Sequence, residues 1–434
     1  MSVTPNNGRL SAAVAALPSG TVPVGLGLIV NGLSTYGFQI IAFRALGAEP
    51  YAALNGLWVT AFILAPGFFL PLEQEVARAI AHRRARGEGN RPLIGKALVL
   101  GGLLVVGVIS VIVVLRGPIE EHLLRSSDDL FLALVAVLIG FALMSLTRGI
   151  LSGSGRFGRY GLVVGMDGFF RAALAAVLAL VGYSTLGWFG LIFALAPFVA
   201  VVVGLAGTKR LAEPGPSARM TELSSAIGWL LVGSTFSQAL GYSAYVGASL
   251  LATSSQNAEL GAFIAALFIA RVPILLFQAV QAALLPRLAS LLSAGHVREF
   301  IDGFSRLLLL VVGLSVVAIA LALVVGPTFG TLLFGTSFVT SGVQLAALTT
   351  GCCLVVVALT LAQALIALRR YALPAVSWAV GFGVFLAILI PTSGSVFTRA
   401  EIAFVAGAAI ATVLMALATI IGIRGVSGSG KVAA

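Results

Sequence analysis

The chain has 434 residues, of which 59% are hydrophobic and only 9% charged, and its mean hydropathy is +1.09. Soluble globular domains carry roughly 25% charged residues, so this composition excludes that class and points to a protein that crosses a membrane many times. A net charge of +11 would suit a nucleic-acid partner in a soluble chain, but the placement of the basic residues, taken up below, excludes that reading.

A spanning helix needs about 20 mostly apolar residues. Twelve stretches meet that need: 21–43, 51–77, 92–115, 129–150, 159–182, 186–207, 224–251, 260–286, 304–325, 341–368, 371–391 and 401–423. Strands of a β-barrel would be about 10 residues long and alternate in polarity. These runs are longer and apolar on all sides. The first follows a short polar tail carrying Arg9 and contains Asn31. It therefore reads as a span rather than a cleaved signal. It holds Asn31, Thr35 and Gln39 at steps of four, with Ser34 and Tyr36 alongside, and Arg44 follows at its outer edge.

The second span carries Asn55 and Trp58, then Glu73 and Glu75 near its far end. Glu75 stands three residues before Arg78, a spacing at which the two pair. Glu73 is the freer acid and a candidate for gating or ion coupling. In the fifth span Asp167 precedes Arg171 by four residues, the favourable order for an intrahelical pair. A fold-stabilising pair is the leading reading, and gating or ion coupling the second. Asp167 is the only acid read as deep within a span.

The seventh span has Ser234, Gln238, Tyr242 and Tyr245 at steps of four, four and three, a polar stripe down one face. The eighth has Arg271, Gln278 and Gln281. Arg271 and Gln278 share a face, and Pro273 is expected to bend the helix and free nearby carbonyls. A charge at mid-membrane depth is costly, so one that persists usually faces a polar cavity. A guanidinium there can grip phosphate bidentately; the alternative is a clamp between packed helices. The adjacent Cys352 and Cys353 point about 100° apart on a helix and read as packing residues. His82, His122 and His296 lie in loops without metal-ligand spacing, so neither a metal nor a cofactor is expected.

With the N-terminus inside, twenty of the 26 Lys and Arg fall on the cytoplasmic side and four outside, Arg44, Arg116, Arg125 and Arg399. Arg171 and Arg271 lie within spans. This bias is the positive-inside rule, and it predicts cytoplasmic termini. The basic charge is thus a topology signal, with some contact to membrane lipids. The polar break 208–222, with Pro214, Gly215 and Pro216, falls after the sixth span. The expected organisation is a tail 1–20, a first lobe 21–207, a linker 208–222, a second lobe 223–424 and a tail 425–434. A weak parallel repeat agrees: shifting the second span by 209 residues onto the eighth brings Arg78 onto Arg287. Glu120, Glu121, Asp128 and Asp129 share one external edge with Arg116 and Arg125. That loop reads as self-neutralising rather than catalytic, against a membrane glycosyltransferase.

Three stretches carry a family resemblance. FRALGAEPYAALNGLW (43–58) resembles the junction of the first two spans in the polysaccharide flippases of the multidrug/oligosaccharidyl-lipid/polysaccharide exporter superfamily. LTRGILSGSGRFGRYG (146–161) is similar to their turn between the fourth and fifth spans. ARVPILLFQAVQAALLPRLASLLSAGHVREF (270–300) is similar to their eighth span and the short helix after it. The resemblance implies an all-α membrane protein of two six-helix lobes in a V, with spans 1, 2, 7 and 8 facing a central cavity and alternating access carrying a lipid-linked sugar outward. Arg271, Gln278, Asn31, Thr35, Gln39, Asn55, Ser234, Gln238 and Tyr242 would then line the cavity, with Arg44 a phosphate contact at the outer edge. Flippases of the peptidoglycan precursor also carry cations within spans 1 and 2, which this chain lacks. A polyprenyl-monophosphate sugar or a similar small lipid-linked saccharide is therefore expected, in a bacterial inner membrane, with envelope glycosyltransferases as prospective partners. The Ala-, Gly- and Val-rich composition suits a high-GC bacterium, for which polyprenyl-phosphate arabinose is one candidate. The competing reading is a cation-coupled multidrug antiporter of the same superfamily.

Overall fold

A computed structural model of the chain describes residues 21–208, 211–223, 227–277, 291, 296–336 and 338–429. Among them every regular element is helical. Helices α1 (Thr21–Leu46), α2 (Ala48–Ala85), α3 (Arg91–Val114), α4 (Asp128–Gly153), α5 (Phe157–Val181) and α6 (Leu186–Leu205) form one lobe. The other holds α7 in two pieces (Ile227–Gly241 and Ser243–Leu251), α8 (Asn257–Ala270), α9 (Val297–Val324), α10 (Gly342–Ala367), α11 (Ala372–Leu389) and α12 (Val396–Ser429). Eleven of these helices are long and apolar enough to cross a membrane, and the protein is a multi-pass integral membrane protein.

The run expected as the seventh span, 224–251, is not one of these eleven. It is interrupted at Tyr242 and carries the polar Ser234, Gln238, Tyr242 and Tyr245. Several ends also differ from the hydropathy edges. At 38 residues and about 1.5 Å per residue, α2 outruns the hydrocarbon layer. Its charged last turns, His82 to Ala85, remain helical, because water satisfies the helix surface once the chain leaves the lipid.

Packing inside the two lobes follows one pattern offset by six helices. In the first lobe α1 packs on α5, α2 on α4, and α6 on both α4 and α5; in the second, α7 packs on α11, α8 on α10, and α12 on both α10 and α11. Small residues permit the closest of these approaches. A Cβ on Gly27 of α1 would stand 2.2 Å from the carbonyl oxygen of Gly161 on α5, so only glycine lets those backbones meet. The α1–α2 turn is a single residue, Gly47, at φ 81°, a conformation that penalises any side chain.

The lobes meet through α2, which packs on α7 and α8, and through α1. At the end bearing Gly47 the contact is tight. Arg44 donates to the carbonyls of Leu333 (2.7 Å) and Leu332 (2.6 Å), which close the short helix Gly326–Phe334. Asn257 donates to Glu49 at 3.2 Å, and a Cβ on Gly261 would lie 2.3 Å from the Ala48 carbonyl oxygen. At the opposite, arginine-rich end the inter-lobe linker is strapped to α2. Arg83, only 2% exposed, donates to both carboxylate oxygens of Glu222 (2.8 and 3.0 Å), to the carbonyl of Pro216 (2.9 Å) and to that of Ser217 (3.1 Å). Asn90 reads the linker in both directions, donating to Leu211 O and accepting from Glu213 N.

Candidate functional site

Two broken helices face each other between the lobes. Pro273 has no N–H to bond a carbonyl in the preceding turn, and α8 breaks at Arg271 before resuming to Phe277. Opposite, α7 breaks at Tyr242. Arg271 bridges the two breaks: its Nη1 donates to the Gly241 carbonyl at 2.5 Å, and its guanidinium lies 3.7 Å from the centre of the Tyr242 ring. That contact combines a carbonyl bond with a cation–π interaction. The first lobe closes over it. Tyr36 of α1 donates to Phe268 O at 3.0 Å, and its ring meets that of Phe268 edge-on.

The pocket so formed is small in this conformation, with a cavity volume of about 20 Å³, and is lined by Arg271, Tyr242, Tyr245 and Phe268 with Asn55 and Val59 across from them. Asn55 is fully buried and donates to Gln39 Oε1 at 3.4 Å. The Asn55 Oδ1 and Gln39 Nε2 atoms have no partner among the described residues. A guanidinium has five N–H donors, and the Gly241 bond uses one. The site therefore offers a cation, an aromatic wall and amide groups in a largely apolar setting, a combination suited to an anionic group on an otherwise apolar or sugar-bearing molecule.

Of the residues expected to line a cavity, Arg271, Tyr242 and Asn55 line this pocket, with Gln39 behind Asn55. Others lie elsewhere. Ser234 spans the lobes, donating to Pro66 O at 2.8 Å. Asn31 is turned toward α5, where a Cβ on Gly168 would come within 2.5 Å of its Oδ1. Arg44 clamps the sealed end, as described above. Thr35 and Gln238 are half-buried on α1 and α7. Gln278, Gln281 and Arg287 lie outside the described residues.

The candidates for gating fall in the first lobe, and both are paired. Asp167 and Arg171, 4% and 1% exposed, bond each other. The Arg171 guanidinium is caged by aromatic rings, with Trp58 at 5.2 Å, Phe193 at 5.3 Å, and Phe62 and Phe141 at 6.0 Å. Glu73, expected to be the freer acid, is held by Arg148 of α4 at 2.5 Å and by the Tyr160 hydroxyl of α5 at 3.1 Å. Sequence spacing pairs only residues on one helix, so partners from two other helices were invisible to it. Glu75 bonds Arg78 at 2.9 Å. In the acidic loop Arg116 bonds Glu120 and Asp128, each at 2.8 Å, as self-neutralisation requires. The cage rings and the lining residue Phe268 were missed because a phenylalanine in a lipid-facing run and one around a cation look alike in sequence.

The architecture is that of the MATE transporters. A solved MATE structure in the bent conformation matches with a TM-score of 0.67 and 15% identity, covering 95% of each chain. An outward-facing multidrug resistance MATE family transporter of the MOP superfamily matches with a TM-score of 0.67 and 16% identity, covering 95% of this chain and 96% of that one. At such identity the likeness defines the fold. In sequence, uncharacterised proteins of Mycobacterium tuberculosis (strain H37Rv) and Mycobacterium bovis are each 27% identical over 420 residues, covering 92% of both chains. No family model matches the chain.

Proposed function

We propose that this protein is a flippase that moves a lipid-linked saccharide, with a polyprenyl-phosphate sugar as the favoured class, across the membrane by alternating access. The observation that carries the reading is Arg271, held at the junction of two broken helices and presented to an inter-lobe pocket. Broken helices at mid-membrane are a recurrent way to build a transport site. A single cation with spare donors suits one phosphate, and the tyrosine and amide groups suit a sugar.

The orientation follows from the basic residues: the arginine-rich end is cytoplasmic and the Arg44 end external. The contacts at the Arg44 end then describe a state closed to the outside. A cation-coupled multidrug antiporter is the rival within the same fold. Against it stands Asp167, whose carboxylate is already taken by Arg171.

Lipid analysis of depleted cells tests the reading: an inner-leaflet polyprenyl-linked sugar should accumulate. Arg271→Ala should abolish complementation while the protein stays in the membrane, and Arg271→Lys should keep partial activity. Normal glycan export in the Ala variant would remove Arg271 from the site. Unchanged lipid-linked sugars, together with dye export that Asp167→Asn abolishes, would favour the antiporter.

A further inference from the structure

Glu401 is a buried helical acid like Glu73, Glu75 and Asp167, but it lies in the second lobe and nothing described so far uses it. It lies in α12, about one and a half turns from the start of the helix, and is 6% exposed. Its Oε1 atom has no hydrogen-bond partner among the described residues. On the helix it shares a face with Phe397, Phe404 and Ala408, at offsets of four, three and seven. All three are buried. Phe397 packs on the Phe263 ring of α8 at 5.2 Å, and Phe404 lies so close to α10 that a Cβ on Gly351 would be 2.4 Å from its ring. The glutamate thus sits in an apolar seam.

The nearest arginine in sequence does not neutralise it. Two residues on a helix are about 200° apart, and Arg399 points the other way, donating to Leu389 O at 2.5 Å and Ile390 O at 3.3 Å at the end of α11. On the elements packed against α12 the remaining ionisable groups are Tyr242 and Tyr245 on α7, Glu259 and Arg271 on α8, of which Glu259 is exposed and Arg271 is turned to Gly241 and Tyr242, Cys352 and Cys353 on α10, and Arg298, Glu299, Asp302 and Arg306 at the far, arginine-rich end of α9. Helix α11 carries none between Ala372 and Leu389. An unpaired carboxylate in such surroundings is expensive, and the group escapes the cost by taking a proton.

We propose that Glu401 is a proton-binding site of the second lobe, occupied in this conformation and emptied when water reaches it. A site that holds its proton more tightly in one conformation than in another couples the two events, so protonation of Glu401 favours the packed arrangement of α8, α10 and α12. The proposal stands independently of the substrate reading, because its test needs no substrate.

Infrared difference spectroscopy on the full-length protein in nanodiscs decides it. At neutral pH the wild type minus Glu401→Gln spectrum should contain a protonated-carboxyl band, which disappears only as the pH is made alkaline. An ionised-carboxylate signal at neutral pH in its place would overturn the proposal. Stability supplies the second measurement. Glu401→Gln and Glu401→Met should unfold at or above the wild-type temperature at neutral pH, since each replaces a neutral group by another of similar size. A drop of several degrees in both would mean that a paired, charged glutamate had been lost, and would equally overturn the proposal.

Discussion

At the scale of single residues, the first lobe pairs its buried acids with arginines: Asp167 with Arg171, Glu73 with Arg148 and Glu75 with Arg78. The Asp167–Arg171 pair is sealed from solvent, yet Asp167 Oδ1 and Arg171 Nε and Nη1 have no hydrogen-bond partner among the described residues. Four aromatic rings surround the Arg171 guanidinium instead, and a cation–π contact is worth about 0.5–2 kcal/mol. Removing one member of a buried pair strands the other charge, at a cost of about 3–5 kcal/mol. Asp167→Ala should therefore be strongly destabilising, whereas Asp167→Leu combined with Arg171→Met should recover most of the loss, as read by unfolding of the purified protein in detergent. Equal losses in the single and double variants would show that the pair is not the source. The pair itself was legible in the sequence from its spacing of four. Its cage was not, because the rings come from α2, α4 and α6.

At the scale of elements, breaks and caps matter more than helix length. Hydropathy alone locates α7 and α8 but cannot see that both are interrupted. Pro273 gives a local reason for the break in α8; the break in α7 becomes intelligible only when Arg271 is seen taking the Gly241 carbonyl. The same logic governs the sealed end, where Arg44 of α1 satisfies carbonyls at the end of a helix from the other lobe. A helix end favours such a cation. Arg44→Ala should loosen this closure. A cysteine introduced as Glu49→Cys should then react faster with a membrane-impermeant thiol reagent, against a low background from the buried Cys352 and Cys353. Unchanged labelling would mean that the Gly261–Ala48 contact alone keeps the lobes shut.

At the scale of the whole molecule, the two lobes are joined by a linker that is bound rather than loose, and its anchor titrates. Hydrogen bonds from Arg83 hold the Glu222 carboxyl down at about 2, below its ordinary value of 4.5. A carboxyl shifted down on folding contributes stability that is fully present above its unfolded value and is lost as the pH falls toward the folded one. Limited proteolysis of the linker should thus accelerate between about pH 4.5 and pH 2, and Glu222→Gln should be cut readily at neutral pH too; protection in that variant would show that the backbone bonds of Arg83 and Asn90 suffice. The sequence by itself determined the membrane class, the approximate spans, the basic end and the two-lobe division, because lipid imposes a length and a polarity on every crossing segment whatever its neighbours. Only the tertiary structure decided which polar residues converge, that Glu73 is paired across helices and that Glu401 Oε1 has no partner among the described residues. Those outcomes depend on contacts between helices distant in the chain, and no periodicity within one helix records them.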